Sequence, residues 1–286
     1  MCPRTDPRAG RSVETEVVVL EGATRSRRYD IVVGEEPLEL RLAHGDRSQT
    51  LAVTMRTPGN DFELAAGFAA SESIVRSRDE IAGLTYCLDA SVEPDQRYNI
   101  VTIELRSGAK LRETERLERH FTMSSACGVC GRAQLDSLRE LGIAPLDDGL
   151  TVPASLLYAL PERMRASQRV FAATGGLHAA ALFDERGDRV AVREDVGRHN
   201  AVDKIVGWAL LEGRLPLSRS ILMVSGRAGY EILQKSVVAR IPIVASVSAP
   251  SSLAVELARE FNITLAGFVR GDRANVYSGE ERLRRD

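Results

Sequence analysis

The stretch Ser124-Ser125-Ala126-Cys127-Gly128-Val129-Cys130-Gly131-Arg132-Ala133 sets two thiols three positions apart, among small residues and next to an arginine. Thiolate is the form of cysteine that attacks sulfur or binds metal, and a helix start or a nearby cation favours it. Arg132 is such a cation, with Arg119 and His120 upstream, and Gln134 to Leu141 reads as a short amphipathic helix that the thiols would precede. Structural zinc needs four ligands; one CxxC gives two, and Cys87 and His120 would have to come from a separate segment and a charged run. A deaminase zinc site needs H-x-E together with PCxxC, but Ala126 precedes Cys127 and the comparable histidine reads His178-Ala179-Ala180. A thioredoxin-like dithiol belongs to a βαβ unit, which is missing around this pair. In the third chemistry the Cys127 thiolate takes the outer sulfur of a donor persulfide and passes it on, with Cys130 as the resolving thiol. Residue type and spacing leave zinc, redox dithiol and sulfur carrier open.

A second constellation lies in the C-terminal half. SGRAGY follows SILMV, SAPSS follows IPIVASV, and VRGDRANVY follows ITLAG. In an open parallel sheet the C-terminal strand ends face one crevice, where backbone N–H groups and helix starts receive anions. Ser225, Gly226, Arg227, Ser248, Ser251, Arg270 and Arg273 would converge there, the arginines offering forked donors to phosphate oxygens. The plainer alternative is that they are loop residues capping helices. Arg198 and His199, in EDVGRHNAVDKIVG, stand just before a helix and could reach the same crevice, with Asp203 and Lys204 as exposed charges if the segment is only a capped helix. Neither GxxxxGK[ST] nor GxGxxG occurs, so the site would bind phosphate without hydrolysing it.

These groups need a scaffold, and the pattern supplies one. Residues 1–15 are polar and read as a disordered tail. EVVVL, YDIVV, LELRL and TLAVTM alternate as strands, and a helix follows, with Asn60 or Asp61 as cap and Glu63 closing a capping box on Asn60. YNIVTIEL is another strand, and the loop from Pro145 to Pro153 is the internal boundary. The expected division is therefore a β-rich region over 16–145 carrying the CxxC loop and an α/β region over 146–286, either as two units or as one continuous domain. In the latter a hairpin (LHAAALF, RVAVRED) is followed by helix NAVDKIVGWALLEG, strand SILMVSG, helix GYEILQKSVVAR, strand IPIVASV, helix SLAVELAREF and a last strand ITLAGFV. Such alternation requires parallel strands with right-handed crossovers.

The 286 residues, 44% hydrophobic and 27% charged, are enough for one large or two modest globular units. A net charge of -2 removes the uniform basic field of a non-specific nucleic-acid binder. Four scattered cysteines do not form a secreted disulfide framework, the N-terminus has no apolar signal core, and no stretch approaches a membrane span, so the cytoplasm is the expected compartment.

Taken together, SSACGVCGRA, DVGRHNAVDKIVG, SGRAGYEILQK, VSAPSSLAVELA and GFVRGDRANVY closely resemble the FdhD family, the formate dehydrogenase accessory sulfurtransferases, as does PGNDFELAAGFAASESI near residue 58. The resemblance implies a cytidine-deaminase-like α/β fold and a protein that takes sulfur from a cysteine desulfurase. It implies delivery to the bis-molybdopterin guanine dinucleotide cofactor of the formate dehydrogenase catalytic subunit, with no metal of the carrier's own and GDP as a partial mimic of the acceptor. Cys127 would carry the persulfide. The cofactor's guanine nucleotide ends would lie against Phe268, Val269, Arg270, Gly271, Asp272 and Arg273, with Ser225, Gly226, Arg227, Ser248, Arg198 and His199 on the crevice walls. A homodimer is expected. Ser73 departs from the family pattern, which has glycine in a SEGI stretch where this chain reads SESI.

Overall fold

A computed structural model of the chain describes residues 11–87, 89, 91–93, 96–107, 138–139, 142–147 and 149–285. Cys127, Cys130 and nearly all of the helix expected after them lie outside the described residues.

The N-terminal segments that alternate in sequence form strands, as their β-branched content favours. β1 (Ser12–Glu21) and β2 (Thr24–Val33) make a two-stranded antiparallel ribbon, so the chain is already in a strand at Ser12, inside the stretch expected to be a tail. β3 (Glu36–His44), β4 (Arg47–Arg56), β5 (Ile81–Tyr86) and β6 (Ile100–Leu105) form a second sheet in the order β4-β3-β6-β5. Its β3–β6 pair is parallel and the others antiparallel. One face buries Leu38, Leu40, Leu42, Val101 and Ile103.

Helix α1 (Asp61–Ser71) covers that face, but its start is not the expected capping box. Asn60 adopts a left-handed conformation (φ 61°), and its side-chain oxygen accepts from Arg11 Nη2 at 3.1 Å. Glu63 turns instead to Arg193, 2.7 Å away. An ion pair across the molecule replaces the local cap.

In the C-terminal half, β8 (His178–Asp184) and β9 (Arg189–Asp195) form the expected hairpin. Then α4 (Arg198–Leu211), β10 (Ser220–Val224), α5 (Tyr230–Val238), β11 (Ile243–Ser246), α6 (Ser252–Glu260) and β12 (Thr264–Arg270) alternate as read from the sequence. β12 is not the last strand. β13 (Arg273–Ser278) returns antiparallel to it, so the FVRGDR segment turns a hairpin. The sheet order is β13-β12-β11-β10-β8-β9, with β10, β11 and β12 parallel and β8 antiparallel to β10. Two short strands, β7 (Val152–Pro153) and β14 (Leu283–Arg284), pair in parallel beside it. The molecule is thus a mixed α/β protein.

Both faces of the larger sheet are buried, which is why its strands are near-continuous apolar runs. Leu222, Val224, Val244 and Leu265 face α1, α4, α5 and α6 in a core that also takes in Leu38, Leu40 and Leu64. Ile221, Met223, Ile243 and Ala245 face α2 (Ala154–Arg165), through Leu157, Leu160 and Met164. Between the two sheets α1 and α4 cross at Gly67 and Gly207. A Cβ on Gly207 would lie 1.8 Å from the Glu63 carbonyl oxygen, and one on Gly67 1.8 Å from that of Asp203. Only glycine allows this approach.

Candidate functional site

The parallel strands bring their C-terminal ends to one edge of the sheet, and β8, running the other way, brings its N-terminal residue His178 to that edge. His178 pairs with Asp195 at the end of β9. Arg198 and His199 open α4 there, Ser225–Arg227 follow β10, Ser248 follows β11, and Arg270 ends β12. The topology therefore gathers the residues that the sequence places at strand ends.

The floor of the edge is a hydrogen-bonded frame. Ser246 is buried; its hydroxyl donates to the Gly226 carbonyl at 2.7 Å and accepts the Ser248 amide at 3.1 Å, joining the loops after β10 and β11. The Ser248 carbonyl accepts the Phe268 amide at 3.2 Å, which adds the end of β12. Ser225 Oγ accepts the Ala179 amide at 2.8 Å and so fixes β8 against β10. Ser251, expected in the crevice, caps α6 by accepting the Ala254 amide at 3.3 Å. The plainer alternative holds for that serine.

On this frame stand the polar groups. Arg198 Nε is buried and has no hydrogen-bond partner among the described residues. Arg198 Cδ would be 3.7 Å from a Cβ on Gly226, and the His178 ring 3.2 Å from it, so the missing side chain at Gly226 leaves both groups room. His199 Nδ1 lies 2.7 Å from Glu231 Oε2. That hydrogen bond holds the Glu231 carboxyl below its usual range. Burial first, then the charges of Arg198 and His199, hold His178 below the ordinary histidine range. His178 was considered in the sequence only as a deaminase ligand, and its place beside Gly226 follows from the antiparallel β8, which no local motif announces.

The hairpin from Phe268 to Arg273 is less uniform than its sequence. Val269 is buried in the core, whereas Arg270, Gly271, Asp272 and Arg273 are exposed. Phe268 has φ 53°, and the Arg270 guanidinium carbon sits 5.8 Å from the centre of its ring. Arg227 is exposed beside the loop after β10.

Below Arg198 and His199 the remaining polar residues of EDVGRHNAVDK serve the scaffold. Asp195 is buried; one oxygen meets Lys204 Nζ at 2.6 Å and the Thr57 amide at 3.2 Å. Its other oxygen accepts the Gly197 amide at 2.8 Å and Asn200 Nδ2 at 2.9 Å. Burial pushes the Lys204 ammonium down in pKa, and Asp195 only partly restores it. Asp203 accepts from Ser71 Oγ and pairs with Lys235 Nζ, both at 2.8 Å. Asp203 and Lys204 are therefore not the exposed charges of a simple capped helix. An unpaired charge there would be costly; Asp195 and Lys235 supply the opposite charges, and Thr57 and Ser71, far away in the chain, add hydrogen bonds.

Among the described residues, no group of three or more His, Cys, Asp or Glu side chains comes together to hold a metal ion, and no helix is long and apolar enough to cross a membrane.

Comparison with known proteins agrees with the motifs. The sulfur carrier protein FdhD of Streptomyces avermitilis is 51% identical over 277 residues, 96% of each chain. That of Sulfurisphaera tokodaii is 42% identical over 268 residues, 94% of this chain and 97% of the relative. A crystal structure from Desulfotalea psychrophila, of a protein proposed to be a formate dehydrogenase accessory protein, superposes with a TM-score of 0.73 at 25% identity, covering 96% of this chain and all of that one. The FdhD/NarQ family model matches residues 33–284, nearly the whole described structure, and the chain belongs to that family.

Proposed function

We propose that the chain is a sulfur carrier in formate dehydrogenase maturation. Cys127 takes sulfur from a cysteine desulfurase and delivers it to the bis-molybdopterin guanine dinucleotide cofactor, which is held by its guanine nucleotide ends in the crevice at the sheet edge. The names of the relatives support the sulfur step. The observation that carries the binding step is the buried Arg198 Nε, without an acceptor among the described residues, beside Gly226 and His178. A buried donor lacking a partner is uncommon and costly, and a phosphate oxygen would satisfy it.

The sulfur chemistry balances in two steps. The Cys127 thiolate attacks the outer sulfur of the donor persulfide; a new S–S bond forms, the donor's S–S bond breaks, and the donor leaves as thiolate. Once the acceptor is in place, attack by the Cys130 thiolate on the Cys127 sulfur releases the outer sulfur as hydrosulfide to it and leaves a Cys127–Cys130 disulfide, which a dithiol reductant returns to two thiols. Small neighbours at Ala126, Gly128 and Gly131 suit a loop that must meet donor and acceptor in turn. Glu231 holds His199 in place at the crevice, and Asp195 fixes the turn from which Arg198 projects.

An antiparallel hairpin leading into three parallel strands, in the order β9-β8-β10-β11-β12, supports a cytidine-deaminase-like reading of the fold. We place the protein in the cytoplasm as a homodimer, with the desulfurase and the formate dehydrogenase catalytic subunit as partners.

Calorimetry with GDP tests the crevice. Arg198→Ala and Arg270→Ala should each weaken binding by about ten-fold or more, the worth of one charge-assisted hydrogen bond. Unchanged affinity in both variants would place the nucleotide elsewhere.

A further inference from the structure

A second polar hollow lies between the base of the β1–β2 ribbon and the β8–β9 hairpin. It has a volume of about 310 Å³, at the small end of ligand cavities. Three arginines line it: Arg11, Arg169 and Arg193, with Thr57, Asn60, Ser167 and Glu194. The charges around it do not cancel. Arg193 is paired with Glu63 through two hydrogen bonds. Glu194 is also committed, its two oxygens accepting the amides of Phe171 at 2.8 Å and Val170 at 3.1 Å. Among the described residues the Arg11 guanidinium bonds only the neutral Asn60 Oδ1, at 3.1 Å. The Arg169 side chain has no partner among the described residues. The Lys204–Asp195 pair nearby is neutral as a unit. Among the described residues, two guanidinium groups thus share one hollow with no carboxylate paired to either, and three cations stand against the two carboxylates of Glu63 and Glu194.

The geometry points to an oxyanion site in this hollow, distinct from the crevice at the strand ends, that takes a small phosphate-bearing molecule. Forked guanidinium donors match phosphate oxygens, the Ser167 and Thr57 hydroxyls border the same space, and one excess positive charge favours a singly or doubly charged anion. Arg11 belongs to the segment that enters the ribbon and Arg169 opens α3 (Arg169–Thr174). A bound phosphate would therefore tie the ribbon base to the C-terminal region. The inference does not depend on the crevice reading.

The test is titration calorimetry of the full chain with inorganic phosphate at low ionic strength, against Arg11→Ala, Arg169→Ala and Arg270→Ala. Arg11 and Arg169 are exposed, so their variants should fold, and thermal unfolding checks that they do. Arg169→Ala and Arg11→Ala should each weaken phosphate binding by about ten-fold, also in an Arg270→Ala background. GDP affinity should respond to Arg270→Ala and not to Arg169→Ala. Phosphate affinity unchanged in Arg169→Ala and Arg11→Ala, or no binding to the wild type at millimolar phosphate, would overturn the proposal. A GDP affinity indifferent to Arg270→Ala would count against the crevice and leave this site standing.

Discussion

Single residues divide into those that hold the edge together and those left with unfilled valences. Asp195, Asn200, Asp203, Lys204 and Ser246 are each held by hydrogen bonds or ion pairs. Arg198 Nε has no partner among the described residues, and His178 is kept short of its proton by burial and by neighbouring cations. Because the folded chain binds that proton less readily than the unfolded one, the stability linked to His178 rises with pH. It is lost as pH falls from the ordinary histidine value towards the lowered one. An NMR titration should give His178 a midpoint below that of an exposed histidine, and Arg198→Ala should move it upwards. A midpoint at or above the ordinary value would contradict the placement of both groups. Sequence reading located Arg198 and His199 because they stand at a strand-to-helix junction, and the structure puts them in the first turn of α4. It missed Ser246, whose role depends on two loops meeting, and it allowed Lys204 to be an exposed charge because the Thr57 carbonyl that it bonds lies 147 positions away.

At the scale of elements, what local pattern dictates was legible and what distant contact dictates was not. The strands and helices from His178 to Arg270 follow from continuous apolar runs alternating with amphipathic ones. β13 was hidden because its pairing with β12 is broken by register shifts and by the left-handed Phe268, so no clean alternation marks it. The start of α1 was misread because Glu63 spends its carboxylate on Arg193 of another element. The crossing of α1 and α4 gives a sharp expectation. Gly207→Ala forces a methyl onto the Glu63 carbonyl oxygen, so the helices must separate; overpacking of this kind costs about 1–3 kcal/mol. Urea unfolding checks this, and a variant as stable as the wild type would show that the crossing is looser than described.

For the whole molecule, the composition indicates a sizeable core but not how the two sheets share it. The β-rich segments and the later α/β units read in sequence as two regions of either one domain or two, and one buried cluster contains Leu40 of β3, Leu64 of α1, Val206 of α4 and Leu233 of α5. Buried hydrogen bonds cross the same boundary, including those from Lys204 to the Thr57 carbonyl and from the Ser71 hydroxyl to Asp203. The chain should therefore unfold in one calorimetric transition, and Leu40→Ala, expected to cost about 2–5 kcal/mol, should lower that transition as a whole. Two separable transitions, with only the first shifted, would contradict a shared core.

The central claim is that Cys127 carries sulfur. Mass spectrometry of the intact protein after incubation with a cysteine desulfurase and cysteine tests it most directly. The account predicts a gain of one sulfur atom in the wild type and in Cys130→Ser, reversed by reductant and absent in Cys127→Ser. No gain in the wild type, or an undiminished gain in Cys127→Ser, would contradict it and leave a protein that binds the nucleotide cofactor without charging it with sulfur through this thiol.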